Sequence, residues 1–405
     1  MKALAITGFG AVSPVGIGGA GFFEAMTSGS CAKAPVVRPV SEAKAGEAVT
    51  DGDGSAAVAV RSPALAEVPN FDAAKYLGEK GLRTLDRLTK LLVVASRLAL
   101  HDAKLKRDGA WVTTAGDRVG IVVSNAYGSL EAITELDRVA TLEAARYINP
   151  ARFPLTVANS AAGYASIWED LRAMNVSVSD GNCGALDAVA CADVFLEQQR
   201  ADAIVVGGAE AISEALIGAY ERLGALAEGA IIGEGAAMFV LEADSSARAR
   251  GASVLGIISG YGTAFVPPER EAALVHPSAV ALERAIRDAM TDANVTPDEV
   301  DVAVSGVSGL RAFDDAELSA IAQILGPDAC VVAPKQALGE THGAGGAMGV
   351  LAALAYLTAG ACPHVVRGRF RRDGRTALVT SMGYYGNASA LVVRSGALAA
   401  PTAQI

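Results

Sequence analysis

The chain has no uncharged apolar run of the roughly 20 residues that a membrane-spanning helix needs, so a membrane is not expected as a partner. It has only five cysteines, Cys31, Cys183, Cys191, Cys330 and Cys362, an odd number with no CxxC pair. That pattern argues against both a disulfide framework and a zinc site, and no metal or cofactor is expected. Positive charge is in deficit. The formal net charge is −10, which argues against a nucleic-acid or anionic-membrane surface. Aromatic residues make up only 5% of the chain, and charged residues only 19%. With Ala and Gly abundant, this composition suits layers in which helices lie close against sheets. The first residues, "MKALAITGFGAVSPVG", lack the long apolar region of a signal peptide and read as a strand entering the fold. These features are those of a soluble cytoplasmic protein.

The 405 residues exceed one compact core, so two domains or a duplicated unit are expected. Lys2–Thr7 reads as a short strand followed by a Gly-rich turn, "GFGAVSPVGIGG". Residues 41–70, rich in Ala, Gly and acidic residues, read as a surface excursion, and the last nine as a disordered tail. Leu85–Ala103 is apolar over most of its circumference and predicts a largely buried helix. Residues 118–125 predict a strand, 163–174 a helix, and "NVSVS" a strand entering the turn "DGNCGALDA". Near residue 250 the pattern restarts, which divides the chain into halves 1–250 and 251–405. Each half holds a small-residue turn leading into an almost wholly apolar helix, "NCGALDAVACADVF" and "HGAGGAMGVLAALAYL". A helix apolar on all sides must be buried on all sides, so each lies between two sheets. Two such helices back to back predict an α/β fold, a five-layer α-β-α-β-α sandwich of two similar halves.

"GFGAVSPVG" follows a strand but is a poor dinucleotide loop, because Ser13 stands where the third glycine of GxGxxG belongs; close packing explains it better. Cys183, near the start of a helix, is a candidate nucleophile. Of the four histidines only His342 lies in a glycine-rich turn suited to serve it as a base. The plainer reading of Cys183, and of Cys191 two turns on, is core packing.

The ordered segments "GFGAVSPVGIG", "FDAAKYLGEKGLRTLDRLTK", "INPARFPLTVANSAAG", "VVGGAEA", "GEGAAMFVLEA", "PKQALGETHGAGGAMG" and "SMGYYGNASALVV" together resemble the β-ketoacyl-acyl-carrier-protein synthases of the thiolase fold, over nearly the whole chain. The resemblance implies a Cys nucleophile and two His that decarboxylate a malonyl unit. Counted from Gly163, the family's nucleophile position falls on Asn182, not Cys183. The strand-end histidine falls on Ser305, and the second on Glu340, two residues before His342. Lys335 and Glu317 match the family's supporting pair, and Tyr384 the residue that gates its acyl pocket. An amide is no nucleophile. Loss of all three positions implies the chain-length factor, or ketosynthase β subunit, of a type II polyketide synthase, serving either an aromatic or a polyene product. The partners so implied are a catalytic ketosynthase α subunit in a heterodimer, an acyl carrier protein, and the growing chain at the subunit interface. The edge strand "VSVS" and residues 125–165 would form that interface. Tyr127, Leu130, Ile133, Thr134 and Asp137 would close the tunnel, the last four sharing one helix face at i, i+3, i+4 and i+7. The competing reading is an active acyltransferase or condensing enzyme using Cys183 with His342.

Overall fold

The computed structural model describes residues 1–29, 64–222, 230–270, 273 and 275–396. Most of the 41–70 excursion and the C-terminal tail lie outside these residues. Among the described residues, no helix is long and apolar enough to cross a membrane.

Ten strands carry the fold: β1 Leu4–Ser13, β2 Val119–Ser124, β3 Asn175–Val178, β4 Ala203–Glu210, β5 Gly235–Ala243, β6 Gly256–Phe265, β7 Val302–Val304, β8 Val331–Val332, β9 Thr376–Met382 and β10 Asn387–Ser395. The first five lie in the order β3-β2-β4-β5-β1 and the second five in the order β8-β7-β9-β10-β6. Numbered within each half, both orders are 3-2-4-5-1. The pairings repeat as well: two parallel ladders around the second strand, then two antiparallel ones. β1 also pairs antiparallel with β6 over Leu4–Ile6, so the two sheets join along that seam.

Strand alternation then distributes the side chains. Val206 of β4 and Leu391 of β10 point into a central core built on the Gly184–Glu197 and Gly345–Ala359 helices. Val205 points to an outer layer with the Arg87–Asp102 helix. Val392 points to the opposite outer layer with the Ala279–Ala293 helix. The result is the five-layer α-β-α-β-α sandwich. The Gly345–Ala359 helix has twelve buried residues in fifteen, as its uniform apolarity demands. The Arg87–Asp102 helix starts where Asp86 accepts a hydrogen bond from the Thr89 amide (2.9 Å).

Three local expectations need correction. The segment "GFGAVS" is strand, not turn: β1 runs through it to Ser13. Its glycines are there for contact. A Cβ on Gly10 would stand 2.2 Å from the Ala95 carbonyl oxygen, and one on Gly8 2.2 Å from the Ala103 nitrogen. The Arg87–Asp102 helix therefore lies directly on the strand backbone. The helix expected over 163–174 spans Ser160–Glu169, stopping at Asp170, whose φ of 54° leaves the helical region. At the C-terminal end of the surface excursion, Ala64–Ala66 forms a small parallel ladder with Ile231–Gly233.

Among the described residues β3 is a sheet edge, with a neighbour only at β2. Beside it in sequence, Leu142, Tyr147, Phe153, Val157 and Ile167 are exposed, Leu142 and Ile167 by 73% and 76%. Single exposed apolar residues are ordinary, but so many between 142 and 167 next to an open strand mark an interaction face.

Gly10→Val places side-chain atoms where the helix backbone already lies. It should lower stability by about 3 kcal/mol or more, beyond ordinary overpacking because the obstacle is main chain. A denaturant titration should find it much less stable than Ala11→Val on the same strand.

Candidate functional site

Both central helices begin from one-turn 3-10 segments, Gly181–Cys183 and His342–Ala344, and these two turns pack against each other. The sandwich thus brings the N-terminal ends of its two buried helices to one place. Asn182, Ser305, Glu340, His342, Lys335 and Tyr384 gather around it.

Asn182 is buried. Its carbonyl accepts from Ser381 Oγ (2.7 Å), while its Oδ1 has no partner among the described residues. Ser305 follows β7 directly and donates through Oγ to the Val332 carbonyl (2.9 Å), so it secures the neighbouring strand. Glu340 receives Lys335 Nζ on both carboxylate oxygens, at 2.8 Å each, and the His342 amide at 3.0 Å. Burial pushes its carboxyl up, but Lys335, His342 and these hydrogen bonds outweigh that and hold it below the usual range. Glu317 accepts from the Gly306 amide (2.8 Å) and Thr380 Oγ1 (2.6 Å), and its pKa is raised by burial. Around Ser305, Lys335, Thr341 and Thr380 the remaining cavity is about 10 Å³, room for no more than one water.

His342 is fully buried at φ 47°. Its Nδ1 lies 3.2 Å from the Tyr220 hydroxyl and 3.3 Å from that of Tyr384, and the two hydroxyls are 2.7 Å apart. The Tyr127 and Tyr220 rings each meet the imidazole edge-on at 5.4 Å. Burial holds the His342 pKa down, to about 4, with Glu340 pulling it up and Lys335 pushing it further down. The imidazole is therefore neutral at ordinary pH. Burial likewise pushes Tyr127 up to about 12. Three tyrosines and a neutral histidine fill the space beside the helix ends.

Cys183 is fully buried. Its thiol donates to the Ser381 carbonyl (3.5 Å), and burial, with Asp187 and Asp180 nearby, raises its pKa well above the ordinary thiol value. No histidine hydrogen-bonds its sulfur among the described residues, and His342 Nδ1 is engaged by the tyrosines. Sulfur and imidazole are in neighbouring turns without the contact that activates a nucleophile.

The tunnel candidates divide. Leu130 and Tyr127 pack inward on Leu65, Leu216, Tyr220 and Ile232. Ile133, Thr134 and Asp137 are exposed on the Leu130–Val139 helix, and Thr134 returns its hydroxyl to the Leu130 carbonyl (2.7 Å). Tyr220, which closes the aromatic cluster, was not singled out in the sequence. Its only signal is a Leu216/Tyr220 pair at i, i+4 on the Glu214–Arg222 helix, which reads as packing.

A neutral buried His342 is linked to pH with a definite sign. Its folded pKa lies below the unfolded value of 6.5, so its contribution is present above pH 6.5 and is lost as pH falls toward 4. Over that interval the loss is about 3 kcal/mol. His342→Asn, which tolerates the positive φ, should remove this part of the acid destabilisation. Urea midpoints at pH 7 and pH 4.5 should converge more in that variant than in the wild type.

Comparison with known proteins places this arrangement. The sequence family described as Beta-ketoacyl synthase, N-terminal domain, matches residues 1–247, and Beta-ketoacyl synthase, C-terminal domain, matches residues 255–368. The chain is 32% identical to the tetracenomycin polyketide synthase ketoacyl synthase beta subunit of Streptomyces glaucescens, over 81% of this chain and 86% of that one. Among solved structures it is similar to the ishigamide ketosynthase/chain length factor, with a TM-score of 0.82, 24% identity and coverage of 98% of this chain and 100% of the other. It is also similar to a ketosynthase solved in complex with a type II polyketide synthase acyl-carrier protein, with a TM-score of 0.79, 21% identity and coverage of 97% and 99%.

Proposed function

The chain belongs to the β-ketoacyl synthase family, and from that premise we propose that it is a non-condensing chain-length-factor subunit, paired with a catalytic ketosynthase and closing that partner's acyl tunnel in type II polyketide biosynthesis. One observation carries the reading. Where the family resemblance puts Cys, His and His, this chain has a buried amide that is no nucleophile (Asn182), a hydroxyl tied to the Val332 carbonyl (Ser305) and a carboxylate paired with Lys335 (Glu340). The Cys183–His342 alternative lacks a thiolate and lacks the contact to a base.

The heterodimer is supported by the open β3 edge and the exposed apolar residues between Leu142 and Ile167. A ketosynthase partner would cover both. The division of labour follows: with the chain's own site closed by Tyr127, Tyr220 and Tyr384, the growing polyketide occupies the partner's tunnel. Ile133, Thr134 and Asp137 present the side chains that could end it. An acyl carrier protein is the second partner on this reading; a surface cleft of about 490 Å³ carries Arg83, Arg87, Lys90 and Arg152 together with Asp72, Asp86 and Glu131. Arg87 pairs with Glu234 and Arg152 with Glu135, which leaves Arg83 and Lys90 as the cleft's cations in no ion pair among the described residues. On this reading the two halves meet near residue 250, no cofactor is needed, and the complex works in the cytoplasm.

Co-expression with a Cys-containing ketosynthase should give a 1:1 complex burying more than the roughly 2,000 Å² of obligate interfaces. The chain alone should show no condensation, and Asn182→Cys should not create it, because Ser305 and Glu340 cannot perform the histidines' steps. Measurable ketoacyl product from the single Asn182→Cys chain without a partner overturns the reading.

The outward residues of the Leu130–Val139 helix give the length prediction. Ile133→Trp in the complex should shorten the product and Ile133→Ala should lengthen it, by about one ketide unit each. Leu130→Ala is a less direct probe, since Leu130 packs within its own subunit and truncation there also costs folding stability. Product mass spectrometry on intact complexes reads the outcome; unchanged lengths remove this helix from the mechanism.

A further inference from the structure

Glu210 ends β4 with its carboxylate fully buried. Its Oε2 accepts the Ala126 amide at 2.7 Å and the Gly343 amide at 3.4 Å. The Tyr127 amide also pulls on the carboxylate, and among the described residues no cation pairs with it. With no cation to compensate a buried charge, the uncharged acid is favoured there, and it still accepts through Oε2. Burial pushes its pKa up to about 8.

Its two partner segments are the ones the function concerns. Ala126–Tyr127–Gly128 leads into the Leu130–Val139 helix, and Gly343 lies in the His342 turn of the emptied site. The segments touch main chain to main chain: a Cβ on Gly343 would stand 2.5 Å from the Asn125 Cα. Above this contact the Tyr127 ring meets the His342 ring, and Leu130 joins the same inner cluster. The Leu130–Val139 helix is therefore tied at its start to the former catalytic turn through one acceptor.

We propose that Glu210 is a positioning residue for chain length: it holds the 125–128 loop and the 342–344 turn together, and so fixes how far the Leu130–Val139 helix projects toward the partner's tunnel. This rests on the reading of the chain as a length-setting subunit. It gives the closed polar site a present use, as the brace behind the tunnel end. Gln keeps a carbonyl acceptor in the same place, whereas Leu has the shape without the acceptor. The Gln–Leu contrast thus separates hydrogen bonding from simple filling of space.

The test uses the reconstituted complex. Glu210→Leu should shift the product distribution by at least one ketide unit while the 1:1 complex still forms, and Glu210→Gln should restore the wild-type length. A Glu210→Leu complex that makes wild-type product overturns the proposal, because a purely structural carboxylate would affect yield and stability but not length. Should Glu210→Leu fail to assemble, hydrogen exchange on the wild-type complex decides. Ala126 and Gly343 amides protected together at the level of β4 support the tie, and either one exchanging at the rate of an exposed loop overturns it. If Ile133 variants leave product length unchanged, it is the length-setting reading that fails, and amide exchange still reports on the tie by itself.

Discussion

The Gly345–Ala359 helix has no face that water can wet, and the structure is arranged around that constraint. A helix with twelve of fifteen residues buried needs cover on every side, and only a second sheet can supply it. Its counterpart, Gly184–Glu197, is less enclosed than its apolar sequence suggests: seven of its 14 residues are buried and Val194 is exposed near its C-terminal end. Two sheets of identical 3-2-4-5-1 order enclose the pair, and two outer helix layers cover the sheets' far faces. The functional region follows from this geometry. The buried helices meet near their N-terminal ends, so the turns that begin them, Gly181–Cys183 and His342–Ala344, are in contact although some 160 residues apart in sequence.

That region is polar but nearly solid, and its electrostatics explain why it can be. Lys335 is buried, and an unpaired ammonium there would be costly. Glu340 receives it on both oxygens and also caps the His342 amide. A histidine at position 340 could not neutralise Lys335 in this way. Ser305 satisfies itself on Val332 rather than pointing a hydroxyl at a reacting atom. The three substitutions form one arrangement: an ion pair, a strand tie and an inert amide where the resemblance puts a base, a second base and a nucleophile. The aromatic cluster of Tyr127, Tyr220 and Tyr384 around neutral His342 completes the filling.

Much of this was legible in the sequence, for physical reasons that differ by element. The two central helices could be read from their apolar sequences, and the layered architecture follows from them, although only Gly345–Ala359 is buried nearly all round. Asn182 is reached by an ungapped count from Gly163, and Ser305 and Glu340 by their places in the motifs "AVSGVSG" and "KQALGE". The segment "GFGAVS" was misread as a turn because glycine marks both tight turns and close backbone approach; only the Arg87–Asp102 helix lying on it distinguishes the two. The helical face 130/133/134/137 was legible as a face, but not which neighbour each residue meets. Leu130 turns inward because the Glu214–Arg222 helix, distant in sequence, brings Leu216 and Tyr220 to it. Tyr220 and Glu210 were illegible in the same sense: a lone tyrosine in an amphipathic helix and a glutamate after a strand acquire their roles only from loops that fold back on them.

The closed site also bears on what kind of ruler the proposed pairing can use. An acyl chain excluded from this subunit must be measured where the subunits meet. A ruler based on affinity would be blunt, since each buried methylene contributes only about 0.8 kcal/mol, a few-fold in occupancy, and adjacent lengths would overlap. A wall is sharper, since forcing one further methylene into a packed end costs about 1–3 kcal/mol and rises with each atom. A wall works only if it cannot retreat. The Leu130–Val139 helix is short and mostly exposed on its outer side, with little of its own to hold it against a growing chain. Its rigidity must come from behind, where Tyr127 and Leu130 rest on Leu65, Leu216, Tyr220 and Ile232, and the Tyr127 ring meets the buried His342. A site that had stayed open for catalysis would leave that backing soft. In a subunit whose proposed task is to stop a chain, a filled polar site and a stiff wall are the same structural feature.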